Sequence, residues 1–561
     1  MVKLKLVSSL EKVFLEENVD DFKTLTHISG LRGERVSLQL LASYVPTTTD
    51  LWAVVFSVEF SGSLAKYAKI RNVRHMGVTK PTTHGHNEFL PGYLRTTPGV
   101  YPDLLEDAIY GGRFVLQRMS AESFWIDVEI PDNDAPIGNN DLIVTVKGAD
   151  RSGEKFKFEE TLHCDVEVIN ATLPEQKLIM TQWFYCDTLA EYYGVPVWSE
   201  EHWRIIESFA KMAVKHGQNM LLTPVFTPEL DTHVGGERLT NQLVKIEKSG
   251  EEYSFDFTLL DRWVEMCDRV GIKYFEIAHL FSQWGATHAP KIIVTEDGVE
   301  KKMFGWDTDA HSKEYGDFLR AFLKALLSHM KKSGNDKRCF FHISDEPNFA
   351  QLEDYKKSQA QVADILDGYT IMDAMSHFEY YSEGVMKTPI PKTGSMKPFI
   401  DAKVPDMWTY YCGAAGNGCS SRMLAMPAAR NRALGMQLFK YNIVGFLHWG
   451  YNFYNTCGSY DTVNPYRDQS GENWVPAGDM YIVYPGKGGE PLESTRLLVF
   501  DDGLKDMRAM KLCESLYSHE EVVKAIEDVA GIEIEFTNTI CDPETVLNIR
   551  EKINEMIKAK V

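Results

Sequence analysis

No stretch of this sequence reaches the ~20 consecutive apolar residues that a membrane-spanning helix requires, and no Cys or Cys/His grouping has the spacing of a zinc site. The nine cysteines (164, 186, 267, 339, 412, 419, 457, 513 and 541) are odd in number and scattered. Most lie in apolar runs such as KRCFFHIS, which points to buried thiols rather than a disulfide framework. The opening segment MVKLKLVSSLEKVFLEENVDDF lacks an apolar run of signal-peptide length, because Glu11 and Lys12 interrupt it. The expectation is a cytoplasmic protein with no membrane insertion. Positive charge is also short: 59 Lys and Arg stand against 80 Asp and Glu, a net charge of −21. Nucleic acids and anionic membranes are therefore poor partners, since phosphates reward cations. No Gly-rich phosphate fingerprint follows a first strand. His84 and His86, two apart in a Pro- and Gly-rich stretch, read as polar filler, so no cofactor and no metal are expected.

What the chain has in quantity is apolar surface, 44% hydrophobic and 12% aromatic residues over 561 positions, enough for two or three domains. Up to about residue 170 the text is β-like. SLQLLASYV, LWAVVFSVEF, FWIDVEI, LIVTVKG, KFKFEETL and CDVEVI are short runs, several alternating, and KGADRSGEKFKF reads as a hairpin turning at Gly148 and Gly153. Period-two alternation predicts an antiparallel β-sandwich over 1–170. Residues 81–105 read as a long ordered loop, and INATLPEQK (169–177) as a linker.

Beyond it, strands and helices alternate. Eight strand-like runs occupy 177–186, 219–226, 273–281, 337–346, 369–375, 406–411, 444–450 and 479–485. A helix is predicted at 199–217 with Ser199 as N-cap, and another at about 312–333 with Tyr315, Phe318, Leu319, Phe322, Leu326 and Met330 on one stripe. The multidomain fold expected is an N-terminal antiparallel β-sandwich (1–170), a (β/α)8 TIM-type barrel (171–510) and a short helical C-terminal extension (511–561).

In such a barrel the chemistry gathers at the C-terminal ends of the strands. Those ends are rich in aromatic and carboxylate residues and poor in cations, which suits a neutral sugar better than a phosphate. The fourth run ends in FHISDEPNF (341–349), where Asp345 and Glu346 are adjacent. In regular β-structure they would face opposite sides. Pro347 removes a ladder donor and should hold Glu346 extended as the chain leaves the sheet, which would let both side chains converge on one pocket. Two close carboxylates resist ionising together, so one should bind its proton more tightly, giving an acid beside a base.

The ISDEP segment, the LHWGYNFYN run, DMYIVYPG and the ESTRLLVFDDGLKDMRAM block occur in order between about 178 and 515, and PGVYPDLL lies further upstream. Together they resemble glycoside hydrolase family 123, the β-N-acetylgalactosaminidases with a β-sandwich and a catalytic (β/α)8 barrel. The resemblance implies exo-acting, retaining, substrate-assisted hydrolysis of a β-N-acetylgalactosaminide of a glycan or glycolipid, in which the substrate's 2-acetamido oxygen is the nucleophile and an oxazoline forms. It implies that Asp345 orients the acetamido group and that Glu346 is the general acid/base. The adjacency suits this chemistry, because the two groups served lie on neighbouring parts of one ring.

Around the pair, Trp449 and Tyr451 are expected as pocket walls and Asn452 as a partner for a ring hydroxyl. One of Tyr410 and Tyr411 is expected on the acetamido carbonyl, since alternation lets only one face inward. His279 and Trp284 are further ligand contacts, His448 points into the wall, and Arg496 reads as an ion-pair partner inside the barrel wall. Two alternatives stand beside this reading. One is a conventional retaining glycosidase with Asp373 or Asp231 as nucleophile, and the other is a non-catalytic carbohydrate-binding barrel.

Overall fold

The alternation in Arg35–Tyr44 is carried to an unusual end, because both of its faces are buried. Val36, Leu38, Leu40 and Ala42 turn into an apolar core, and Arg35, Ser37 and Gln39 are buried on the opposite side. In the computed structural model, which describes the chain apart from residues 47–51, 84–91, 109–110, 151–155 and 414–417, this strand belongs to the first of two units. That unit comprises residues 1–176, 417–441 and 492–561. His84, His86 and the turn residue Gly153 fall outside the described residues.

Ten strands build it: β1 (Val2–Ser8), β2 (His27–Arg32), β3 (Arg35–Tyr44), β4 (Ala53–Ser61), β5 (Ala68–Val78), β6 (Gly99–Glu106), β7 (Phe114–Gln117), β8 (Ala121–Glu129), β9 (Gly138–Asp150) and β10 (Lys157–Thr172). They form two five-stranded sheets, β1-β3-β8-β5-β6 and β2-β10-β9-β4-β7, antiparallel throughout except where β2 runs parallel to β10. One core takes Leu38, Leu40, Phe124 and Ile126 from the first sheet and Phe56, Leu116, Val144 and Val166 from the second, as a sandwich requires. β9 and β10 pair as the expected hairpin, with Lys157 opposite Ala149, but Gly148, expected at the turn, lies within β9 opposite Phe158. The stretch 81–105, expected as loop, instead ends in β6. Its Tyr101, Leu104 and Leu105 are fully or almost fully buried, so packing outweighs the turn signals of the nearby prolines and glycines.

The other face of the first sheet carries charge. Arg35 and Arg71 both pair with Asp127, and Arg35 also reaches Asp501, Asp502 and the Leu498 carbonyl in the helix Thr495–Leu516. Further along that helix Asp506 receives Arg432 through Nε (2.7 Å) and Nη2 (2.9 Å) and Arg550 through Nη1 (3.0 Å). Arg496, expected inside the barrel wall, sits in this unit instead, where its Nε and Nη2 donate to Asp103 at 2.9 and 2.8 Å. The ion-pair role is met in a different place, because the block that holds it is helical.

The second unit, residues 177–416 and 442–491, holds the alternating region. Eight parallel strands run through it: β11 (Ile179–Gln182), β12 (Met220–Thr223), β13 (Tyr274–Ile277), β14 (Cys339–Phe341), β15 (Thr370–Ala374), β16 (Thr388–Ile390), β17 (Trp408–Tyr410) and β18 (Gly445–His448). They lie in two hydrogen-bonded sheets, β12-β13-β14-β15-β16 and β11-β18-β17. Beside β17 the Tyr410 amide donates to the Pro391 carbonyl (3.2 Å), and beside β11 the Met180 amide donates to Asn219 Oδ1 (2.8 Å). Helices Glu200–Lys215, Thr258–Val270, Lys313–Lys332 and Leu352–Ala360 alternate with the strands, the first and third capped by Ser199 and Ser312. The predicted stripe from Tyr315 to Met330 is buried throughout.

Seven of the eight expected strands are members of these sheets. The eighth, 479–485, is not: its last residues, Val483–Pro485, belong to a separate two-stranded sheet. The eighth parallel strand is instead β16, beside β15, whose TPI sequence conceals a strand because Pro389 and Pro391 read as breakers. β16 is an edge strand of its sheet, where a missing N–H is tolerated.

The charged face of the sandwich yields a stability prediction. Asp506→Ala leaves two buried guanidiniums short of a partner and should lower stability by ~3–5 kcal/mol in equilibrium urea unfolding. A loss below ~1 kcal/mol would show that the network adds little.

Candidate active site

β14 stops at Phe341, four residues before the carboxylate pair, because the next residues are held by a side chain. Asp373, wholly buried on β15, accepts the amides of Ile343 (3.1 and 3.2 Å) and Ser344 (3.2 Å), the Tyr355 hydroxyl and His342 Nδ1 (3.0 Å). One carboxylate thus stands in for the ladder. The other His342 nitrogen lies 2.8 Å from Glu276 on β13, which also accepts the Thr181 hydroxyl and Trp183 Nε1 (2.8 Å). Burial works against a charge on His342, but the hydrogen bonds it donates to Asp373 and Glu276 win and push it up to about 9. It is a buried imidazolium between two carboxylates.

From this base the chain turns. The Asp345 carbonyl accepts the Trp284 amide (2.9 Å), and the Glu346 amide donates to the Ala374 carbonyl (3.1 Å). Glu346 has φ +42°, in the left-handed region, and not the extended conformation expected before Pro347. Anchoring on both sides of this residue overrides the local preference, at a typical cost of ~1–3 kcal/mol. The result separates the pair by environment. Asp345 is 8% exposed, and its Oδ1 accepts no hydrogen bond from the described residues, whereas Glu346 is exposed. Burial, then Glu346 and Asp231, hold the Asp345 carboxyl far above the usual carboxylate range.

The tyrosine pair divides as alternation requires. Tyr410 donates its hydroxyl to Glu346 Oε1, and Tyr411 turns away to pack against Phe446 and His448. Trp449 is half-buried, its Nε1 donating to Asp479 Oδ2 (3.0 Å) and its ring standing against Trp474 and Phe453. Trp284 is 45% exposed beside Asp345. His279 is buried against Trp183 and His342, and neither of its nitrogens has a hydrogen-bond partner among the described residues. His448 is buried, accepting the Gly450 amide on Nδ1.

Tyr451 and Asn452, expected at the pocket wall and on a ring hydroxyl, are fully buried instead. The Tyr451 hydroxyl donates to the Phe209 carbonyl (2.9 Å), and the Asn452 amide exchanges hydrogen bonds with the Tyr185 backbone at 2.9 and 3.0 Å. β18 ends at His448, so period-two reasoning does not extend to 451. Asp373, considered as a nucleophile, is occupied by the contacts above. Asp231 is half-buried, and its carboxyl is pushed up to about 7 by burial and then by Glu346. Sequence reasoning missed Asp479 and Trp474. Trp474 lies in irregular chain before the run read as a strand and Asp479 is that run's first residue, so a carboxylate opening an apolar run was the available signal.

The family model described as "Glycoside hydrolase 123, catalytic domain" matches residues 183–513, more than half of the chain. The chain belongs to glycoside hydrolase family 123. Among solved structures it is similar to a family 123 glycoside hydrolase from Clostridium perfringens, studied for glycolipid glycan hydrolysis. The TM-score is 0.71 at 14% identity, over 100% of this chain and 97% of that one. A putative beta-galactosidase from Bacteroides fragilis aligns far more weakly, with a TM-score of 0.32 at 9% identity over 83% of this chain and 58% of that one. No curated protein sequence matches.

In this glycoside hydrolase one group among the described residues brings potential metal ligands together: His279, His342 and Asp373, with ligand atoms within 4.8 Å of one another. His342 and Asp373 already use those atoms in the hydrogen bonds that hold the site. A stability consequence follows from His342. Its raised pKa stabilises the fold fully below the ordinary histidine value of 6.5, and the contribution is lost as pH rises through about 9. The ceiling is ~3 kcal/mol. Thermal melting of the parent and His342→Gln between pH 6 and 10 should show the gap narrowing as pH rises, and a gap independent of pH would contradict a charged His342.

Proposed function

We propose that this family 123 hydrolase removes terminal β-linked N-acetylgalactosamine with retention of configuration, its eight parallel strands acting as one closed (β/α)8 barrel. The observation that carries the reading is the separation of two adjacent carboxylates into different environments. Glu346, accessible and held by the Tyr410 hydroxyl, protonates the departing glycosidic oxygen. The substrate's acetamido oxygen attacks the anomeric carbon as that bond breaks, giving an oxazoline. Asp345, buried with a free oxygen, accepts the acetamido N–H and stabilises the positive charge that develops there. Binding that N–H favours the ionised form of Asp345, which burial disfavours. Water, deprotonated by Glu346, then opens the oxazoline from the face the leaving group vacated.

Trp449 offers an aromatic face for the apolar side of the sugar, and Asp479 fixes the orientation of its ring. The competing reading is a double displacement with a protein nucleophile. Asp231 is the candidate there, being half-buried and close enough to Glu346 to respond to its charge.

On an aryl β-N-acetylgalactosaminide, Glu346→Gln should lower kcat/KM by ~10²–10⁴-fold. Asp345→Asn should do so to a comparable degree, and Tyr410→Phe by ~10-fold, through the loss of one hydrogen bond. An oxazoline-mimicking thiazoline should inhibit the parent. Equal turnover of a substrate with a 2-hydroxyl in place of the acetamido group would refute substrate assistance, as would trapping of a covalent glycosyl-Asp231 with a fluorosugar.

A further inference from the structure

Asp231 belongs to the irregular chain after β12 and is fixed more firmly than a loop residue needs to be. Its amide donates to Gln283 Oε1 (2.7 Å), and its carbonyl accepts the Ser459 hydroxyl (3.0 Å). Its φ is +53°, a region Asp tolerates better than most residues. The backbone is thus pinned from both sides in a conformation with some strain, and what that fixes is the direction of the side chain.

Among the described residues no donor reaches the Asp231 carboxylate. The nearby guanidinium of Arg238 is engaged elsewhere, donating through Nε to Asp187 (2.7 Å) and through Nη1 to the Leu230 carbonyl (3.1 Å). Burial, Glu346 and Asp479 raise the Asp231 carboxyl and Arg238 opposes them, while Asp231 in turn raises Asp345. Gln283, which accepts the Asp231 amide, precedes Trp284, whose amide donates to the Asp345 carbonyl (2.9 Å), so Asp231 and the carboxylate pair share one neighbourhood. The buried Asp345 Oδ1, also without a donor, lies in it too. A buried carboxylate oxygen without a donor beside a fixed, half-buried carboxylate suits a ligand that brings hydroxyl and amide donors.

We propose that Asp231 is a specificity-determining contact, its carboxylate accepting hydrogen bonds from ring hydroxyls of the bound amino sugar on the edge away from the acetamido group. The inference rests on the amino-sugar reading above. In that reading Asp345 serves C2 and Glu346 serves the exocyclic oxygen at C1, which leaves the hydroxyls at C3, C4 and C6 needing an acceptor. A fixed carboxylate can take two of them at once.

The test is a cycle of enzyme and substrate deletions. Asp231→Gly suits the positive φ and removes the carboxylate, and Asp231→Asn keeps the size and backbone preference if the glycine variant folds poorly. Each is assayed beside the parent on an aryl β-N-acetylgalactosaminide and on its 3-, 4- and 6-deoxy analogues. The parent should lose ~10-fold or more in kcat/KM on at least one deoxy analogue, while the variants, already impaired, lose less than ~3-fold on the same one. Losses that simply multiply in enzyme and substrate, or a parent indifferent to all three analogues, would overturn the proposal. A parent that does not cleave the undeleted glycoside at all would instead refute the amino-sugar reading on which it rests.

Discussion

His342 carries a proton with no exposure to water, and that is tolerable only because Glu276 and Asp373 flank it at hydrogen-bond distance. The rest of the site depends on this arrangement. Asp373 is held against the imidazolium on β15, and from there it receives the amides of Ile343 and Ser344, so that the chain leaves the sheet well before the carboxylate pair. Glu276 ties the same charge to Thr181 and Trp183 at the end of β11. One buried proton therefore connects strand ends that are far apart in sequence. Removing His342 would leave two carboxylates uncompensated in the interior, a far larger penalty than the loss of one hydrogen bond.

Above this base, backbone strain gathers where side chains must be aimed. Asp231, Trp284, Glu346 and Ser459 all have positive φ, and hydrogen bonds join two pairs of neighbouring segments: the Trp284 amide to the Asp345 carbonyl, and the Ser459 hydroxyl to the Asp231 carbonyl. Each such residue costs stability that its surroundings must offset, and a rigid scaffold of buried strands can do so where an isolated loop could not. The strained residues have different neighbours in sequence but shared neighbours in space, which is the pattern expected when several loops are shaped for one ligand.

How far this was legible in the sequence follows from where periodicity holds. Seven of the eight parallel strands appear as apolar runs because both of their faces are covered. β16 is hidden by its prolines, and 479–485 misleads because a run buried in irregular chain has the same composition as a buried strand. Asp345 and Glu346 stood out through adjacency and their place after the fourth run. The alternation rule left Tyr410 and Tyr411 as alternatives of which one faces inward, and the hydroxyl of Tyr410 on Glu346 selects between them. Tyr451 and Asn452 are expected at the pocket from their place just past the seventh run, but β18 ends at His448 and the chain beyond it buries both. Asp479 and Trp474 follow no period at all, and only the folded chain brings them to Trp449.

The adjacency itself takes on a different meaning once the backbone is known. Extended neighbours would project to opposite sides of a sheet, and a proline after the second would favour that extension. The chain instead places Glu346 in the left-handed region, with its amide tied to Ala374 and its carboxylate to Tyr410. Asp345 stays buried over the His342 charge, which opposes the burial that raises its pKa. Two carboxylates of nearly identical intrinsic acidity thereby meet different solvation and different partners one peptide apart. A reaction that needs one of them to exchange protons with an exposed oxygen and the other to meet a developing cation in a dry pocket requires that asymmetry, and two residues in regular β-structure could not supply it on a single side of the sheet.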